Sequence, residues 1–145
     1  MLSEEECVKH TGECWDKGFN CAESALRGVC HAQGIVLPPV ALMMATPFGG
    51  GVGRSEDLCG ALSGAILVIG ASLGRTEGKG EKGPSYQAAK KQHDMFLQRF
   101  GSTSCKVLNK GDFKSNEHER RCKELTLESA RMAYRIINEQ KARKP

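Results

Sequence analysis

Seven cysteines carry most of the chemistry this sequence could do: Cys7, Cys14, Cys21, Cys30, Cys59, Cys105 and Cys122. An odd number leaves at least one sulfur outside any intramolecular disulfide. No Cys-x-x-Cys pair occurs, which argues against a thioredoxin-type active site or a local zinc knuckle. Cys30-His31 looks like half of a c-type haem attachment site, but Arg27 stands three residues earlier, so no haem is expected. Three thiols fall where helices are expected to begin. Cys21 follows Asn20, Cys59 follows Ser55-Glu56-Asp57, and Cys105 follows Ser104. Free backbone N–H groups and the positive end of the helix dipole stabilise negative charge at such positions. Their placement therefore predicts lowered thiol pKa values and thiolates ready for metal ligation or nucleophilic attack. An anionic iron–sulfur cluster would be favoured by the same donors. Cys122, six residues into the last helix and on its core-facing stripe, can meet the other three from inside the fold. Cys7, Cys14 and Cys30 lie on ordinary amphipathic stripes and read as small buried apolar side chains.

The remaining candidates are weaker. Of the scattered His10, His31, His93 and His118, His93 shares an apolar face with Phe96 and is the reserve ligand beside the cysteines. Gly49-Gly50-Gly51-Val52-Gly53 has the glycine content of a phosphate loop but follows no strand and lacks a Gly-Lys-Ser/Thr ending. Its glycines are expected to let backbone pass close to Cys59. Arg54 reads as a surface arginine able to neutralise a bound anion. Ser63 lies within a helix and lacks the sharp elbow of a serine nucleophile.

The elements that must position the sulfurs all read as helices. Ser3 and Glu6 form a capping box for a first helix ending near residue 17, with Leu2 placed as a staple and Thr11-Gly12 weakening its middle. Asn20 caps a second helix that stops at Gly34. Pro38-Pro39 opens a short third helix through Met44, closed by Pro47. Ser55-Glu56-Asp57 is expected to start a fourth helix running through Cys59 to Leu73. Gly60 and Gly64, then Gly70 and Gly74, leave a bare stripe for a close neighbour along it. Pro84 restarts a helix to Gly101 with Tyr86, Ala89, His93, Phe96 and Phe100 on one face. Ser104-Cys105 begins a short turn through Leu108. Asn116 and Glu119 form a capping box for a last helix with Cys122, Leu125, Ser129, Met132 and Ile136 inward. No alternating strand pattern and no internal repeat is present. The expected fold is all-α: a compact single-domain bundle of five or six helices over 1–145, with a flexible loop near 75–83 and a basic C-terminal tail near 139–145.

Composition bounds the function. The chain has 145 residues, 39% hydrophobic and 26% charged, enough for one cored domain and ordinary for a folded protein. The start, Met1-Leu2-Ser3-Glu4-Glu5-Glu6, is acidic where a secretory leader would be basic and then apolar. A cytoplasmic location, where free thiols stay reduced, is expected. The apolar run Leu58–Leu73 is shorter than the roughly 20 residues of a membrane span, so no membrane is implicated. Net charge is +4, and the basic excess sits after residue 80. With only eight aromatic residues there is no stacking platform, and nucleic acid is not an expected partner.

Gly18-Phe19-Asn20-Cys21-Ala22, Gly51-Val52-Gly53 before Cys59-Gly60-Ala61-Leu62-Ser63-Gly64, Phe100-Gly101 before Cys105, and then Cys122 resemble the C-GCAxxG-C-C family of redox-active proteins. The likeness spans about residues 15–135. It implies that Cys21, Cys59, Cys105 and Cys122 are the signature cysteines. Family members resemble the non-haem part of split-Soret-type cytochromes, which implies an iron–sulfur centre.

Three functions compete. In the first, Cys21, Cys59, Cys105 and Cys122 bind an iron–sulfur or other metal centre and pass single electrons to a redox partner protein. In the second, Cys59 is a catalytic nucleophile in thiol–disulfide or persulfide chemistry, with Cys21 or Cys105 resolving the mixed disulfide. In the third, the chain is a zinc-binding or purely structural helical module. The glycine stripe on the fourth helix also suits a homodimer interface.

Overall fold

The computed structural model describes residues 1–143. Lys144 and Pro145, the last residues of the expected basic tail, lie outside them. Seven helices follow in order: α1 Glu4–Asp16, α2 Cys21–Gln33, α3 Pro39–Met43, α4 Gly60–Leu73, α5 Gly83–Phe100, α6 Cys105–Asn109 and α7 Asn116–Ala142. The all-α expectation holds, and no strand occurs among the described residues. The number of helices exceeds the expected five or six. The segment after Ser104, read as a turn, closes into α6 and ends where Lys110 turns left-handed (φ 56°).

Local chemistry explains most boundaries. Ser3 and Glu6 make the expected capping box of α1, and Asn20 and Glu23 make one for α2, whose C-cap Gly34 is left-handed. Two starts differ from expectation. The cap of α7 is Ser115, whose hydroxyl accepts from the His118 N–H, so Asn116 is already helical. The cap of α4 is Cys59 itself. Ser55-Glu56-Asp57 caps nothing, because Glu56 has φ 60° and the chain turns there before pairing Leu58 with Ser104 in an isolated bridge. The face of α5 also differs: Ala88, Gln92 and Phe96 are buried, while Tyr86 and His93 face outward. Residues 86 and 96 lie ten positions, about 2.8 turns, apart, so their side chains point about 80° away from one another. Packing chose the register that buries Phe96 against Leu62, Leu125 and Met132.

The long α7 is the spine, touching α1, α2, α4 and α5, while α2 packs between α1, α4 and α7. Close approach makes this possible. A Cβ on Gly64 would sit 2.4 Å from the Ala22 carbonyl oxygen, so α2 fills the Gly60–Gly64 stripe from within the same chain. A Cβ on Gly28 would sit 1.8 Å from Thr11 Oγ1. Thr11-Gly12, read as a weak point of α1, is buried: Thr11 meets Gly28 of α2, and Gly12 faces Leu127 and Lys123 of α7. One core joins α1, α2, α4, α5 and α7 through Leu26, Val29, Val68, Ile69, Ile136 and their neighbours. A smaller one, with Cys59, Leu62, Phe96 and Leu125, lies under the site. Residues 74–82 form an irregular connector, with Arg75 Nη1 donating to the Gly78 and Gly80 carbonyls. Among the described residues no helix is long and apolar enough to cross a membrane.

Candidate functional site

Cys21 is the first residue of α2, Cys59 caps α4, Cys105 begins α6, and Cys122 lies in the second turn of α7. All four line one cavity of about 410 Å³. Cys7, Cys14 and Cys30 do not line it and are buried elsewhere. Four sulfurs from four segments, separated by up to a hundred residues, thus share one wall. Cys21 and Cys105 are electrostatic neighbours of each other and of both Cys59 and Cys122.

The glycine-rich segment is built to let backbone reach these sulfurs. After a 3₁₀ turn at Thr46–Phe48, residues Gly50, Gly51, Val52, Gly53 and Arg54 all have positive φ, a short left-handed coil. Val52 and Arg54 are costly in that conformation, since a Cβ crowds the following carbonyl. The coil is fixed by Glu56 N–H donating to the Gly50 carbonyl (3.2 Å) and Asp57 N–H to that of Gly51 (3.0 Å). A Cβ on Gly51 would lie 2.6 Å from Cys105 Cβ, and one on Gly60 would lie 2.4 Å from Cys21 Sγ. Across the gap, Cys59 N–H donates to the Thr103 carbonyl (2.8 Å) and Cys105 N–H to that of Asp57 (2.6 Å). These bonds tie the Cys59 and Cys105 segments together.

The expected lowering of the thiol pKa values is overturned. Burial pushes Cys59 up to about 12, and the nearby Cys21 adds to it, against the Ala61 and Leu62 N–H groups that favour the thiolate. Burial likewise raises Cys21, outweighing the N–H groups of Gly50, Ala22 and Cys21 itself. Cys105 is raised by burial, then by Cys21 and Glu56. Cys122 is pushed to about 12 by burial, with Cys21 and Cys105 adding. Helix-end donors act at Cys21 and Cys59 but not at Cys105, and loss of water outweighs them. At neutral pH these are four protonated thiols.

Sequence reasoning missed the polar wall beside Cys122. His118, one helical turn earlier, has Nδ1 3.4 Å from Cys122 Sγ and 2.6 Å from Asn109 Oδ1. Its spacing of four residues from Cys122 on a helix was the available signal. Asn109 gave none. His93, the reserve ligand, is exposed beside Asp94 and does not line the cavity. Trp15 and Phe113 complete the wall, with the Arg54 guanidinium over the Phe113 ring at 5.8 Å. Among the described residues, no group of three Cys, His, Asp or Glu side chains is placed to hold a single ion. All four cysteines line the one cavity and their donor set is soft, so the residues fit a sulfur-ligated group.

Fold and site together define a class: an all-α protein with four thiols from separate segments around one buried cavity. The chain belongs to the C_GCAxxG_C_C family, described as "Putative redox-active protein", whose pattern matches residues 19–136. It is also similar to an "Uncharacterized protein" of Archaeoglobus fulgidus, 28% identical over 152 residues that cover 97% of this chain and 99% of the relative. No solved structure matches the chain significantly.

Proposed function

We propose that Cys21, Cys59, Cys105 and Cys122 hold an iron–sulfur centre in this cavity and that the chain passes single electrons to a redox partner protein. The observation that carries the reading is the shared cavity, which gathers these four sulfurs and leaves the other three out. Such a centre, when bound, supplies reversible one-electron transfer. The protein's part is to hold it. Backbone N–H groups of Gly50, Ala22, Ala61 and Leu62 near the sulfurs favour negative charge. Ala61, Leu108 and Leu125 give the cavity an apolar lining against water. A reducing compartment such as the cytoplasm suits thiols that must stay free for loading.

One observation weighs against the thiol–disulfide reading. A nucleophilic Cys59 needs a lowered pKa, whereas burial raises it to about 12.

The test is anaerobic purification with absorption spectroscopy and iron and acid-labile sulfide analysis. The expected result is a brown protein with iron and sulfide in near-equal amounts. Cys59→Ala should retain its helical circular dichroism and lose at least about tenfold in bound iron. A colourless anaerobic protein that also refuses iron and sulfide on reconstitution overturns the proposal.

A further inference from the structure

α4 carries no charged residue, and among the described residues a single side-chain hydrogen bond ties it to another helix. That bond falls in its first turn, beside Cys59: Ser129 Oγ of α7 donates to the Ala61 carbonyl at 2.7 Å. Behind it stands Gln92 of α5, whose Nε2 donates to Ser129 Oγ at 3.1 Å and to the Ser129 carbonyl at 3.0 Å. Gln92 and Ser129 are both fully buried. The direction of this chain is forced. The two carbonyls can only accept, so the Gln92 NH2 group faces Ser129 and the Ser129 hydroxyl hydrogen points at Ala61. Gln92 Oε1, by contrast, is buried without a partner. An unmet buried acceptor costs about 1–3 kcal/mol, so the glutamine serves through its donor side alone. The Ala61 carbonyl belongs to the same peptide group as the Leu62 N–H. That N–H donates to the Cys59 carbonyl at 3.0 Å and is one of two backbone groups that favour negative charge on the Cys59 sulfur. A hydrogen bond received at a peptide oxygen polarises the whole unit and strengthens its N–H as a donor, by roughly 10–30% per bond.

We propose that Gln92 and Ser129 form a buried relay that polarises the Ala61–Leu62 peptide beside the Cys59 sulfur and so raises the reduction potential of the bound centre. This rests on the iron–sulfur reading above and adds two positioning residues that neither line the cavity nor ligate iron. The reduced centre carries one more negative charge than the oxidised one, so a group that favours charge at Cys59 stabilises the reduced form more. Ser129→Ala breaks the relay at its middle and leaves the backbone ladder of α4 in place. Gln92→Met removes the first donor and keeps the length of the side chain.

The experiment compares loaded wild type, Ser129→Ala, Gln92→Met and the double variant by anaerobic redox titration, with iron and sulfide measured on the same samples. At the wild-type midpoint, the ratio of reduced to oxidised centre should fall about twofold in Ser129→Ala, which is about 18 mV for one electron. Gln92→Met should lower the ratio too, and should add nothing once Ser129 is alanine, because the relay passes through that hydroxyl. A second readout needs no iron. In isotope-labelled, metal-free protein, the nuclear resonance of the Leu62 amide proton should move upfield in both single variants. A fully loaded Ser129→Ala with the wild-type midpoint overturns the proposal. So does a Gln92→Met shift of equal size in both backgrounds, or a Leu62 amide unmoved by either change. Should Ser129→Ala fail to fold, Gln92→Met decides through the same midpoint and amide readings. Wild type that binds no iron overturns the iron–sulfur reading itself and is recognised by its lack of colour before any potential is measured.

Discussion

At the scale of single residues, the thiols show two opposed influences and a clear winner. Helix-end N–H groups favour a thiolate at Cys21 and Cys59, yet burial raises both. The sign of the pH dependence follows. The ordinary value is 9.0, and Cys7, Cys30, Cys59 and Cys122 are pushed up to about 12. The folded, metal-free protein therefore holds these protons more tightly than the unfolded chain. Each contributes its full stability below about pH 9 and loses it as pH rises toward 12, at roughly 1.4 kcal/mol per pH unit for each group. The urea midpoint of metal-free protein should be flat from pH 7 to 8.5 and fall steeply above; a flat profile to pH 10.5 would contradict this. Loading should reverse the proton balance. Because the four cavity thiols are protonated at neutral pH, loading with ferrous iron and hydrosulfide should release about four protons per site from the cysteines beyond those the hydrosulfide itself loses, measurable with an indicator dye in weak buffer against a protein-free control. An excess near zero would mean that the cysteines are not the ligands.

At the scale of elements, α4 separates glycines that serve the site from one that does not. A Cβ on Gly60 meets Cys21 Sγ at 2.4 Å and the Phe48 carbonyl at 2.9 Å, whereas nothing lies within 4 Å of one on Gly70. Gly60→Ala should lower stability by about 1–3 kcal/mol, roughly 3–10 °C in Tm, and sharply reduce iron uptake. Gly70→Ala should raise stability by about 0.8–1.0 kcal/mol and leave loading unchanged. Equal effects of the two on Tm and loading would remove the close-approach account. The same helix shows what could be read beforehand. Ser3, Asn20 and Gly34 announce their boundaries because a side chain or a missing Cβ acts on the backbone beside it. The spacing of Gly60 and Gly64 correctly marked a close neighbour, but sequence could not say that α2 of the same chain occupies it. The start of α4 was misread because the Ser55-Glu56-Asp57 pattern competes with a left-handed coil fixed by bonds from Glu56 and Asp57 back to Gly50 and Gly51. Cys21, Cys59 and Cys105 were legible from the helix starts expected beside them and Cys122 from its inward stripe, and the family resemblance singled out the same four. Asn109 and the outward turn of His93 were not, since both depend on how α5, α6 and α7 pack.

At the scale of the whole molecule, the site sits where the chain depends least on its main core. That core is built from α1, α2, α4, α5 and α7, and α1 is further clamped by Glu4 with Arg131 and Arg135 and by Tyr134 donating to the Leu2 carbonyl. Residues 46–58 and 101–113 contribute little to it. Among them only Gly51, Cys105 and Asn109 are buried, and their order comes from backbone bonds between the two segments. Segments with few buried apolar contacts open at low free-energy cost. A group bound to Cys21, Cys59, Cys105 and Cys122 would join both segments to α2 and α7, adding stability where the fold supplies least. Anaerobic hydrogen exchange should therefore show residues 50–59 and 104–112 exchanging at least about tenfold faster in metal-free than in loaded protein. Amides in α1 and the middle of α2 and α7 should differ by less than about twofold. Equal slowing in α1 would show loading coupled to global unfolding, and the picture of a stable bundle carrying a locally ordered site would then give way to a fold completed by its cofactor.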